Sequence, residues 1–205
     1  MQKKFLAICA VAALFAAPGI TLAQAVGNGG ATYSDVTNKN AWAEFTPRFV
    51  TATLNAMAAQ ASMLTILGMP EPAATVTAQA KDLSRDTPPG MVESIMAERS
   101  KAAVVLTAKL GAAGATIDAS KKAQFGADID AVALALKEYR ELSIDLPYMK
   151  TQLRGAGAKG RTGLFIAKSI PDYTDAMKAE LAGAVAFAKA NNIAYAPEVN
   201  DILAK

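Results

Sequence analysis

The chain has 205 residues, 52% of them apolar, with 21 basic and 18 acidic side chains, no histidine and a single cysteine, Cys9. Without histidine there is no Ser-His-Asp triad, no Cys-His pair, no haem attachment through Cys-x-x-Cys-His and no histidine-bearing zinc or di-iron site. The near balance of charge argues against a nucleic-acid-binding protein dominated by one basic surface.

Residues 1–25 carry the three-part pattern of a secretory signal peptide: Lys3 and Lys4, an apolar run over 5–17 broken at Pro18-Gly19, and Ala23-x-Ala25 as a cleavage site. The run is shorter than the roughly 20 apolar residues that span a bilayer. A mature chain from Val26 without a transmembrane segment is therefore expected, periplasmic or secreted. A lipoprotein reading at Cys9 is disfavoured by the bulky Ile8 before it and by its place in the middle of the apolar core. Cleavage removes Cys9, Lys3 and Lys4, so the mature chain has no disulfide and a net charge near +1. Residues 26–205 are enough for one unstapled core.

Residues 26–45 are rich in glycine and asparagine and read as a loose N-terminal arm, in which Trp42 is placed to pin the arm to the domain, the commoner role, or to meet a partner. From 46 to 205 a single helical domain is expected. Thr46-Pro47 supplies an N-cap and a proline at the first helical position, with Phe45 and Val50 as a hydrophobic staple. The stripe Val50, Leu54, Met57, Ala61, Leu64 then continues to Gly68.

Glu71-Pro72 opens a shorter helix reaching about Ser84. Thr87-Pro88-Pro89 opens another, striped by Val92, Met96, Ala103, Leu106 and Leu110 and ended by Gly111. Asp118 caps a long helix with the face Phe125, Ile129, Val132, Leu136, Tyr139, which Pro147 is expected to bend or end. Leu164-Phe-Ile-Ala167 is too short to assign. Ser169-x-x-Asp172 resembles a capping box and starts Tyr173, Met177, Leu181, Ala184, Ala188, ending at Asn191-Asn192. A short helix follows Pro197. The fold class is all-α: a bundle of about four main helices with short connecting helices. Ala97-Glu98 and Ala179-Glu180 lie equally far from Pro89 and Pro171, which shared capping explains as well as an internal duplication does.

Between these elements a glycine-rich basic loop is expected at about 154–163, where Gly155-x-Gly157-x-x-Gly160 comes close to a phosphate loop with Arg161 in place of lysine. A phosphate cradle needs a strand before it and a helix directly after it. Here the preceding residues read as helix and the next helix is expected only near Ser169, so the loop reads as an interhelical linker. Its five basic residues, Lys150, Arg154, Lys159, Arg161 and Lys168, stand without an acidic residue among them. They form the candidate anion-binding surface, for lipid headgroups, polysaccharide or an acidic partner.

Other constellations carry less. Glu138 and Glu141 share a helix face, with Lys137 placed to pair with Glu141 in solvent. Glu98 and Arg99 fall among apolar positions, where the choices are an interhelical pair, a polar pocket or the exposed edge of the stripe; exposure is expected. The methionines form no Met-x-Met or Met-x-x-Met pair and suit a core better than copper. No cofactor is implied and no catalytic residue is assigned; hydrolysis by carboxylates or a Ser-Lys pair is the least supported reading. What remains is a non-enzymatic exported bundle that works by protein–protein contact or self-association, as scaffold, accessory factor or chaperone-like protein. The alternative is a binding module for a small apolar or anionic ligand held between helices.

Overall fold

The computed structural model describes residues 41–155 and 160–205. The expected signal peptide, residues 26–40 of the expected arm, and Lys159 with residues 156–158 of the expected loop lie outside these residues, as do the side chains of Trp42 and Lys150. The protein is an all-α bundle; its described residues form α1 (Ala41–Ile66), α2 (Pro70–Asp82), α3 (Pro89–Leu110), α4 (Lys122–Gly155), α5 (Gly160–Ala190) and α6 (Glu198–Ala204), with a 3₁₀ turn at Ala119–Lys121. The long helices α1, α3, α4 and α5 form its body, and α2 and α6 are the short connectors.

The stripes read from the sequence are the faces that pack. Phe125, Ile129, Val132, Leu136 and Tyr139 of α4 are buried, as are Val92, Met96, Ala103, Leu106 and Leu110 of α3. Phe49 of α1 stacks on Tyr139 with ring centres 5.2 Å apart, and Phe125 meets Phe187 of α5 at 5.3 Å. Helix α1 packs most extensively on α4, and α4 on α5. The segment Glu44–Ile66 is long and apolar enough to cross a membrane, but 61% of its most apolar window is buried within the bundle.

Two helix starts differ from expectation, and of the two outcomes open at Pro147 the helix does not end there, because burial outweighs local punctuation. Helix α1 begins at Ala41, so Thr46-Pro47 lies inside it. Phe45 is fully buried, and its packing supports the extension of the helix upstream of the apparent cap. Helix α4 runs through Pro147 to Gly155, held beyond the proline by buried Met149. Helix α5 starts at Gly160 and contains Pro171, so Ser169-x-x-Asp172 is not its beginning. Both prolines are at exposed positions, away from the packed faces. Of the expected loop at 154–163, residues 154, 155 and 160–163 are therefore helical, and 156–159 lie outside the described residues. Gly160, Gly163, Ile166, Ala167 and Ile170 form one buried face, which keeps the two glycines in the helix despite their poor helix propensity. Leu164-Phe-Ile-Ala167 belongs to the same helix.

Turns are fixed by specific bonds. Gly68 adopts φ 75° after α1, and the Met69 N–H returns to the Leu64 carbonyl at 2.9 Å. Asn192 takes φ 52° after α5 while the Ile193 N–H reaches the Ala188 carbonyl at 2.9 Å. Thr87 does not cap α3, whose N-cap position is Pro88. Its hydroxyl instead accepts from the Ser84 N–H at 2.7 Å and donates to the Asp82 carbonyl at 2.9 Å, locking the α2–α3 turn. Asp118 occupies an N-cap position, that of the 3₁₀ turn before α4, but its side chain makes no capping bond.

The C-terminal segment is tied to α4 by Asp130, which accepts the Ala196 N–H at 2.8 Å, and by Arg140, which donates to the Ile202 carbonyl. Gly126 allows this approach. A side chain there would overlap the Ala194 carbonyl, whose carbon lies 3.2 Å from where Cβ would stand.

Candidate functional site

The helical register changes what the basic residues can do. Arg154 lies in the last turn of α4, Arg161 in the first turn of α5, and Lys168 seven residues later on the same face of α5. All three are exposed, and among the described residues no carboxylate is within ion-pairing distance of them. Arg161 and Lys168 are thus presented by a helix rather than by the linker expected from the sequence. Thr162 anchors that helix start, its hydroxyl donating to the Thr87 carbonyl at 3.0 Å. Gly160 stands directly at the start of α5, contrary to the postponed helix expected there, whereas the segment before the loop is helical as expected. A phosphate loop still lacks its strand.

The carboxylates of α4 are gathered by a residue not singled out in the sequence. Arg48 of α1 bonds Glu138 at 2.5 Å, Asp145 at 3.3 Å and Glu141 at 3.5 Å, while Lys137 stands 4.0 Å from Glu141. Burial by itself would lower the Arg48 guanidinium. The hydrogen bond and charge of Glu138, then the charges of Asp145 and Glu141, carry it above its ordinary value. This arrangement clamps α1 to α4, and it places a fixed cation where a metal or a general acid would need room.

Arg99 is not at an exposed edge. It is 1% exposed and bonds Glu180 of α5, also 1% exposed, at 2.9 Å. Gln60 of α1 donates to the Arg99 carbonyl at 3.3 Å. Nearby, the Tyr139 and Thr53 hydroxyls lie 2.6 Å apart and Thr53 donates to the Phe49 carbonyl at 2.7 Å. Burial pushes the Glu180 carboxyl up, and the Arg99 charge and the nearby Gln60 amide pull it partly back. Burial likewise pushes the Tyr139 phenol up to about 12, against Arg99 and Thr53. Arg99 Nε, Glu180 Oε1 and Gln60 Oε1 have no protein partner, so the pair is held by one charged bond within a polar island of the core.

Glu180 was visible in principle, since it falls between Met177 and Ala184 on the buried stripe of α5. By contrast Glu98, its counterpart in the apparent repeat, is partly exposed and bonds Lys101 at 2.6 Å. The two positions are not structural equivalents. A second buried acid, Asp128, accepts from Gln124 at 2.9 Å. Burial lifts it to about 6, opposed by the nearby Ser62 hydroxyl and by the Gln124 hydrogen bond. Of the methionines, Met57, Met63, Met96, Met149 and Met177 are core residues.

Between α3 and α5 lies a groove of about 250 Å³ that opens to solvent. Glu93 and Asp172 stand on its rim, Met96 and Phe165 supply apolar lining, and Tyr173 closes one wall beside Ser169. Tyr173 packs from behind against Phe49, with ring centres 6.2 Å apart.

No protein-family model matches the chain, and no curated protein or solved structure is similar to it by comparison. Function is therefore argued from these surfaces.

Proposed function

We propose that this is an exported, non-enzymatic contact protein of the periplasm or the extracellular space, acting through protein–protein contacts as a scaffold, accessory factor or chaperone-like protein. The leader-like residues 1–25 support export. The observation that carries the contact reading is the basic end of the α4–α5 pair, where Arg154, Arg161 and Lys168 are exposed with no acidic partner among the described residues. Cations on rigid helices meet an acidic protein or an anionic surface, such as lipid headgroups or polysaccharide, at less ordering cost than a mobile loop would. Lys150 and Lys159 are neighbours of these residues in sequence and belong to the same basic run.

The alternative, a small apolar or anionic ligand held between helices, gains less support. The α3–α5 groove carries two carboxylates, which repel an anion, and it is too open to enclose an apolar molecule.

The test is binding of the mature protein and of R161A/K168A to vesicles with acidic lipid and to proteins captured from the native envelope. At about 1 kcal/mol per cation near an anionic surface, the double substitution should weaken vesicle binding by about 30-fold at low salt. The wild-type interaction should also fall with added salt. Equal binding by both proteins would refute the basic face as the contact surface.

A further inference from the structure

The groove between α3 and α5 has the opposite sign from the basic face, and its lining is built from side chains of different sizes. Ala97 and Ser100 of α3 are too small to fill the furrow that Phe165 and Tyr173 of α5 border, so the gap remains open along the helices. Buried Met96 forms an apolar floor. Above it, Glu93 comes from one helix and Asp172 from the other, both exposed, and neither is within ion-pairing distance of a described basic side chain. Lys168, one turn before Asp172, forms no ion pair with it.

We infer that this groove is a docking site for a lysine side chain presented by a partner protein, its methylene stem on Met96 and Phe165 and its ammonium between Glu93 and Asp172. The chemistry selects that occupant. An ammonium has three donors and no acceptor, and the rim offers two carboxylates with the hydroxyls of Ser100, Ser169 and Tyr173 as acceptors. A long aliphatic stem lies on apolar surface while its charged end stays at the rim, and an aromatic wall attracts the cation further. The negative rim is already felt by its neighbour: burial raises the Tyr173 phenol, Ser169 opposes this by a hydrogen bond, and the Glu93 and Asp172 charges add to the rise. An open groove cannot bury a free amine on most sides, whereas a tethered side chain gains the rest of its contact from the protein that bears it. The inference specifies one surface of the contact protein proposed above and rests on that reading for its partner.

Titration of isotope-labelled mature protein with a capped Gly-Lys-Gly peptide, monitored by backbone amide shifts, tests it. Saturable shifts confined to residues 93–100 and 165–173 are expected. The E93Q/D172N protein should bind about tenfold more weakly, as expected for losing two exposed charge contacts, and A97F should block the groove. A peptide with norleucine in place of lysine should bind much more weakly to the wild type, a comparison that needs no variant to fold. Equal binding of the norleucine peptide would overturn the inference, as would lysine-peptide binding untouched by E93Q/D172N. Tighter binding of 1,5-diaminopentane than of the peptide would also overturn it, assigning the groove to free amines. The assay uses neither acidic vesicles nor the basic face, so its failure and that of the contact surface at Arg161 and Lys168 are separate results.

Discussion

Replacement of Asp128 by asparagine should make the protein more stable at neutral pH, by an amount that depends on pH in a defined direction. Asp128 is 5% exposed, Gln124 satisfies one of its oxygens, and Oδ2 has no partner. Burial raises the carboxyl from 3.8 to about 6 in the folded chain. The sign follows directly. Between those two values the folded state holds a proton that the unfolded state has released, so this group's stabilising contribution is full below 3.8 and is lost as pH rises through about 6. At 1.36 kcal/mol per pH unit, the interval is worth about 3 kcal/mol. Asparagine is nearly isosteric, keeps an acceptor for Gln124 and never ionises. Urea unfolding of wild type and D128N, repeated from pH 4 to pH 7, isolates the group because other titrations cancel in the difference. The stability of D128N relative to wild type should rise by about 2.4 kcal/mol across that range, the remainder of the interval lying below pH 4. A flat difference, or one that falls with pH, would show that the buried carboxylate is stabilised in a way the structure does not contain.

Two further substitutions probe the packing. R99M strands Glu180 in the core and should cost about 3–5 kcal/mol at pH 7 by denaturant unfolding, with a smaller loss at pH 4 where the acid accepts a proton. R99M/E180L should recover most of that loss; a double variant as unstable as the single one would refute the charge argument. G126A should destabilise by about 2 kcal/mol although alanine gains about 1 kcal/mol of helix propensity, because its methyl group meets the Ala194 carbonyl. A rise in melting temperature for G126A would show that the 193–197 segment yields easily.

Much of the fold was legible because apolar spacing reports burial directly. The α4 face from Phe125 to Tyr139 was read residue by residue and is buried throughout. Ends were harder. Pro47, Pro147 and Pro171 look like boundaries to local rules, but buried Phe45, Met149 and Ile166 carry helix across or past them, and that contribution comes from partners distant in sequence. The same limit governs the site. Arg161 and Lys168 were visible as unopposed charge, yet their common face appeared only once α5 was known to begin at Gly160. Arg99 was noticed but expected at an edge, because its partner lies 81 residues away. The α3–α5 groove had no local signal, since it exists where small residues of one helix face aromatic residues of another.

The Arg99–Glu180 bond also acts as an address. The surfaces that α3 and α5 bury against the bundle include many alanines, among them Ala102, Ala103, Ala167, Ala184 and Ala188, and such smooth surfaces distinguish poorly between neighbouring alignments. Sliding one helix by a single turn moves it about 5.4 Å. Arg99 and Glu180 would then be parted inside a medium that penalises each lone charge by several kcal/mol. A bond that adds little net stability where it forms thus raises every misaligned arrangement above it, and the two helices have one place to meet.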